Sequence, residues 1–252
     1  MDAPVGSTWL LTREAEDAAL DAEVLSKAGV KWASVPCVEF VTKAWPEWPA
    51  RDGTPVLFIT SRRAATAVPP GDAWRAKDTP GLIAATAPVT SAWLEAHGHP
   101  VDFWAHGGAE GLARMLVAAW QAQGRPAWHV RYPASDAGQH APEQENAVAL
   151  LKTVGAVDRA VVYETRAAQG LEERLEPFLL APYSLSFSSP SAVKAFLAAC
   201  PRGSRVADRV VCFGASTARA WSVGRPESWP QAELSESSLV ETITSSQEPA
   251  RS

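Results

Sequence analysis

Short apolar runs alternating with helical stretches predict an α/β protein on mostly parallel sheets, and one strand-turn-helix pattern repeated in each half predicts two such domains. No tract is of low complexity except the residues after Ser245, so the chain reads as ordinary globular protein. Trp9-Leu10-Leu11-Thr12-Arg13 reads as a strand leading into a helix over 15–27 that closes at Gly29. A second apolar run over 32–35 stops at Pro36, and 38–41 alternates as a strand does. The Pro- and Trp-rich stretch 43–55 reads as a surface connection into a new domain. Strands are then expected over 56–60, 81–86, 127–132, 161–163, 183–187 and 210–213. Helices are expected between them over 90–96, 110–121, 142–154 and 171–180.

The repeat sets the domain count. Leu57-Phe58-Ile59-Thr60-Ser61 is echoed by Leu185-Ser186-Phe187-Ser188-Ser189, each a strand ending in two hydroxyl residues that open a helix. Thr90 follows Thr60 by thirty residues and Thr217 follows Ser188 by twenty-nine. Each lies in a short turn, Ala87-Pro88-Val89-Thr90 or Gly214-Ala215-Ser216-Thr217, ahead of a helix that stops near Gly98 or Gly224. Leu112 and Leu239 come twenty-two residues later, each inside a further helix.

Composition removes several classes of function. The chain has 252 residues, 46% hydrophobic and 20% charged, enough for two domains of about 120 residues. A net charge of −5, with no basic tract longer than Arg62-Arg63, argues against nucleic acid as a partner but leaves an anionic small ligand open. Cys37, Cys200 and Cys212 are an odd, scattered set that indicates neither disulfides nor zinc. His97, His99, His106, His129 and His140 lack the spacing of metal ligands. A dinucleotide loop, a phosphate loop and a nucleophile elbow are all missing, so no metal and no cofactor are expected. With no basic-then-apolar leader and no run of roughly 20 apolar residues, a soluble cytoplasmic protein without membrane contact is expected.

Each repeat supplies two strand-to-helix turns, and in a parallel sheet such turns lie at the carboxyl edge, where open α/β folds bind ligands. A helix start offers unpaired N–H groups and a partial positive charge, which suits carboxylates or phosphates without a basic side chain. Four of them are expected to face a shared cleft. Ser61, Thr90, Ser189 and Thr217 add hydroxyls there. Ser and Thr also cap their own helices, and Ser189-Pro190 is what a cap alone would look like. Their recurrence at matched positions is what selects these turns.

At this point the chain resembles the uroporphyrinogen-III synthase family over nearly its whole length. The matching pieces are Leu11-Thr12-Arg13 with Ala28-Gly29, Pro36, Phe58-Ile59-Thr60-Ser61, Pro88-Val89-Thr90, Val162-Tyr163-Glu164-Thr165, Ser188-Ser189-Pro190-Ser191-Ala192-Val193 and Phe213-Gly214-Ala215-Ser216-Thr217-Ala218. Their order and spacing, rather than any one piece, carry the resemblance. It implies two flavodoxin-like lobes with parallel sheets joined by a two-stranded hinge. The first lobe, 1–36 with 167–252, is discontinuous; the second is 42–159; the hinge pairs 35–41 with 160–166.

The resemblance also implies the reaction: cofactor-free cyclisation of hydroxymethylbilane to uroporphyrinogen III, with inversion of ring D and loss of water. The protein's main contribution would be orientation of the chain ends. Tyr163 matches a tyrosine on the family's returning hinge strand and is expected to assist departure of the substrate hydroxyl. Carboxylates of the substrate are expected at Thr12, Arg13, Thr60, Ser61, Arg62, Thr90, Ser188, Ser189, Ser191, Lys194, Gly214, Ser216 and Thr217, with Arg219 as a further cation. Ala87 departs from the glycine usual before the Pro-x-Thr turn, and Arg62-Arg63 is unusually basic. A monomer is expected, with room for transient contact with the enzyme of the preceding step. The alternative reading is a two-lobed protein that binds a tetrapyrrole or another anion without chemistry.

Overall fold

The structure, a computed structural model, describes residues 7–70, 81–136, 142–201 and 203–235; the helix expected at Leu239, His140 and the tail after Ser245 lie outside them. In chain order the elements are β1 (Thr8–Leu11), α1 (Ala15–Lys27), β2 (Trp32–Ser34), β3 (Val38–Thr42), β4 (Thr54–Ile59), α2 (Arg62–Thr66), β5 (Leu82–Thr86), α3 (Val89–Ala96), β6 (Phe103–Ala105) and α4 (Gly108–Ala122). There follow β7 (Trp128–Ser135), α5 (Pro142–Leu151), β8 (Gly155–Ala167), α6 (Leu171–Leu179), β9 (Tyr183–Phe187), α7 (Pro190–Ala199), β10 (Arg209–Phe213), α8 (Ala215–Gly224) and β11 (Glu233–Ser235). Two compact units divide the chain, Met1–Glu39 with Arg166–Ser252, and Phe40–Thr165. The chain passes from one to the other inside β3 and returns inside β8.

The first unit holds five parallel strands in the order β2-β1-β9-β10-β11. Numbered within the unit this is 2-1-3-4-5, the flavodoxin order, which reverses between β1 and β9. Trp9, Leu11, Ala18, Leu25 and Val211 pack α1 onto the sheet. A nest of rings, Phe187, Phe196, Trp221 and Trp229, joins β9 to α7, α8 and the loop after α8. The Trp221 indole N–H, buried with its ring, donates to Pro230 O at 2.9 Å, so this large side chain enters the core without a stranded donor.

The second unit is ordered β3-β8-β7-β4-β5-β6, with β4 to β8 all parallel. Those five strands read 3-2-1-4-5 within the unit, the other doubly wound order, which reverses between β4 and β7. The edge strand β3 runs antiparallel to β8: Lys43 N–H donates to Val162 O and Ala168 N–H to Cys37 O, so partner positions move in opposite directions. Helices cover both faces, which is why β4 and β7 are buried nearly end to end. On one face Phe58, Trp128, Val130 and Tyr132 pack against α4 and α5. On the other Leu57, Ile59 and Ile83 pack against α2 and α3, joined by Val162 and Tyr163.

Candidate functional site

All strands but β3 being parallel within their sheets, the turns that follow them gather at one carboxyl edge in each unit. In the second unit, Thr60 and Ser61 end β4 beside the reversal of strand order. Thr60 Oγ1 lies 3.3 Å from the Tyr132 hydroxyl on β7, and Ser61 Oγ lies 3.2 Å from the Tyr163 hydroxyl on β8. Ser61 also caps α2, accepting the Ala64 N–H at 3.1 Å. Burial pushes the Tyr132 hydroxyl up to about 12. Tyr163 is only 9% exposed, and the ring of Phe40 meets it edge-on.

A bulge explains how Tyr163 reaches Ser61. Ala134 pairs with Val161, but Ser135 pairs with Tyr163, so β8 carries an extra residue at Val162. Strict alternation would send Val162 and Tyr163 to opposite faces; with the bulge both enter the cluster beneath α2 and α3. Arg62 opens α2 half-buried, and Arg63 turns back over Phe40, its guanidinium carbon 4.6 Å from the ring centre. Burial lowers the Arg63 pKa, while nearby Tyr163 opposes that shift. Sequence reasoning placed Arg62 among the carboxylate contacts and noted Arg63 only as half of an unusually basic pair; the signal that would have added it is that Arg63 and Ser61 belong to one helical turn. Thr90 is buried, its hydroxyl accepting from Thr86 on β5 at 3.2 Å. What the start of α3 offers outward is therefore backbone and the exposed Val89 side chain, not the Thr90 hydroxyl.

In the first unit the edge is built on β1, β9 and β10. Thr12 is buried and donates to Ser186 O at 2.6 Å, tying β1 to β9 at the reversal point. Arg13 projects from the same edge over the Phe213 ring at 5.1 Å and pairs with Asp21 at 3.6 Å. Burial raises the Asp21 carboxyl, and Arg13 opposes the rise. Ser189 caps α7 by accepting the Ala192 N–H at 3.1 Å, with φ and ψ of −149° and 148° against −147° and 149° at Ser61. The repeat read in the sequence is thus a repeat of backbone geometry. Ser188 and Lys194 are exposed and Ser191 is half-buried.

The turn after β10 differs from its counterpart. Gly214 has φ +90°, open to glycine, and no side chain caps α8. Gly214, Ser216 and Arg219 are exposed while Thr217 is 1% exposed. The α8 start therefore presents N–H groups and the Ser216 hydroxyl to solvent, with the Thr217 side chain packed beneath. Among the described residues no group of three or more His, Cys, Asp and Glu could hold a metal. Cys37 and Cys212, pushed up to about 12 by burial, are packed thiols rather than nucleophiles. No described helix is long and apolar enough to cross a membrane.

Each edge thus combines hydroxyls and helix starts with partly buried arginine, Arg13 in the first unit and Arg62 with Arg63 in the second, chemistry suited to carboxylates. No curated protein matches the chain in sequence. A solved uroporphyrinogen-III synthetase from Helicobacter pylori is 16% identical, covering 95% of this chain and 97% of its own, at a TM-score of 0.59. A mutant uroporphyrinogen III synthase from Thermus thermophilus is 15% identical, covering 96% and 97%, at 0.56. At such identities the likeness establishes a shared α/β fold with parallel sheets. The sequence profile described as uroporphyrinogen-III synthase HemD matches residues 20–240. By that match over most of its length the chain belongs to the uroporphyrinogen-III synthase family, cyclising lyases of tetrapyrrole biosynthesis.

Proposed function

We propose that the chain closes hydroxymethylbilane to uroporphyrinogen III, that Tyr163 assists departure of the substrate hydroxyl, and that the carboxyl edge of each unit holds acetate and propionate groups. The observation that carries this reading is the Ser61–Tyr163 pair, 3.2 Å apart at the edge of the second unit. Ser61 Oγ already accepts the Ala64 N–H. When its own proton goes to the Tyr163 oxygen, the Tyr163 O–H is left to donate to the departing hydroxyl. The Arg63 guanidinium, held over the Phe40 ring, adds a cation beside this pair.

As the C–O bond breaks, the lone pair of the adjacent pyrrole nitrogen completes an azafulvene cation. This bonds to the substituted carbon of ring D. The spiro intermediate then opens at its other bond and recloses with the ring inverted. The hydrogen displaced from ring D leaves as a proton, so the balance is one water lost. Holding the two ends of a flexible chain in the geometry for this closure is an orientation effect. The exposed Ser188, Lys194, Gly214 and Ser216, and the half-buried Ser191, take carboxylates in the first unit. Thr60, Ser61 and Arg62 do so in the second.

The division into lobes 1–36 with 167–252 and 42–159, hinged at 35–41 and 160–166, belongs to the same reading, supported by the passage of the chain between units within β3 and β8. So do a monomeric state and a cytoplasmic setting. The test is a coupled assay with freshly generated hydroxymethylbilane, with the products oxidised and the type I and type III isomers separated. Type III well above the protein-free control is expected. Type I alone, at the uncatalysed rate, would move the function to ligand binding.

A further inference from the structure

At the outer end of the second unit's carboxyl edge the chain leaves an indole in water. Trp104, the middle residue of β6, is 56% exposed, and Val89, the first residue of α3, is 61% exposed. The Ala87 N–H donates to Ala105 O at 2.9 Å, so the β5–α3 turn that carries Val89 is fastened to the end of β6 that carries Trp104. Alternation in β6 sends Phe103 into the cluster beneath α4 and α5 and leaves Trp104 on the α3 side, level with Ala85. The His106 ring stands edge-on to the indole, centroids 5.9 Å apart, and restricts it.

A single exposed apolar side chain is ordinary, so the position must carry the argument. Tyr132 and Tyr163, the tyrosines of this edge, are buried with their ring faces closed by packing. The hydroxyls and helix starts described above can hold the carboxylate arms of a tetrapyrrole, but they offer nothing to its flat, electron-rich rings. β6 lies two strands from β4, roughly 10 Å at the usual strand spacing, within the span of four linked pyrroles. Building on the reading that this edge receives the tetrapyrrole, we propose that Trp104, flanked by Val89, is a stacking platform for one pyrrole ring. It acts as a positioning residue: the indole fixes the plane of the ring while the neighbouring turns take its carboxylates.

The experiment measures kcat and KM for hydroxymethylbilane with the full chain and its Trp104→Ala and Trp104→Phe variants, alongside thermal melting and sedimentation. Trp104→Ala is expected to raise KM about tenfold, as loss of an aromatic stacking partner does, with kcat little changed. Its melting temperature should match the unmodified chain because the ring is largely in water. Trp104→Phe should recover most of the loss. A KM within twofold of the unmodified chain would overturn the platform, as would a dimer that Trp104→Ala dissolves, which would make the surface a contact between copies. If the unmodified chain itself makes no type III product, the enzyme reading fails first; normal turnover beside an unaffected Trp104→Ala sinks the platform alone.

Discussion

Ser61 Oγ serves two partners, capping α2 and facing the Tyr163 hydroxyl, and this makes the pair separable by mutation. Tyr163→Phe keeps the ring against Phe40 and removes only the O–H. It should lower kcat about 10- to 100-fold, the scale of a lost proton-donating contact, with KM within a factor of two or three. Single-turnover rates with hydroxymethylbilane would check this, and an unchanged kcat would reduce Tyr163 to packing. Ser61→Ala should show a similar fall in kcat plus about 1 kcal/mol of lost stability, since the cap goes too. At this scale legibility was uneven. Ser61 and Ser189 were readable as helix caps because a hydroxyl at a helix start has a known task, whereas Tyr163, inside a strand, was marked only by the family resemblance. The inward turn of Arg63 over Phe40 and the burial of Thr12, Thr90 and Thr217 were not, because they depend on which way a side chain faces once strands have paired.

The elements that escaped the sequence are those too short or too long for periodicity to show. β6 and β11 have three residues each and are strands only because β5 and β10 supply the partners. β8 runs for thirteen residues with a bulge where the sequence showed only an apolar triplet at 161–163. Its start is fixed by Gly155, where an added Cβ would come within 2.0 Å of Trp128 O. Only glycine lets β8 lie against β7 in the register that brings Tyr163 to Ser135. Gly155→Ala must push the two backbones apart, at a cost of about 1–3 kcal/mol. A fall of several degrees in melting temperature is expected; an unchanged midpoint would show that the strand start is free to shift. Strand order was not legible either: the same strand-helix alternation allows 2-1-3-4-5 and 3-2-1-4-5, and the two units use one each.

For the molecule as a whole, the pH dependence of folding follows from charge placed inside the second unit rather than from the net charge of −5. His129 and Arg131 sit in the first half of the buried strand β7, on the face away from α4 and α5. Burial lowers the His129 pKa below its ordinary 6.5, and Arg131 and Arg51 push the same way, against the Asp52 backbone and Asp158. Asp158 is itself held low by its two-pronged bond with Arg51, at 2.6 Å on each arm, so it stays ionised and engaged as pH falls. Between its folded pKa and 6.5 the unfolded chain therefore binds a proton that the folded chain refuses. Stability contributed at this site is complete above 6.5 and is lost as pH drops toward the folded value. Melting temperatures at pH 7.5 and 5.5 should thus fall further for the unmodified chain than for His129→Gln, which has no proton to take up. If the two lose stability in parallel over that interval, the imidazole is already charged or solvated in the folded state, and the acid sensitivity lies elsewhere.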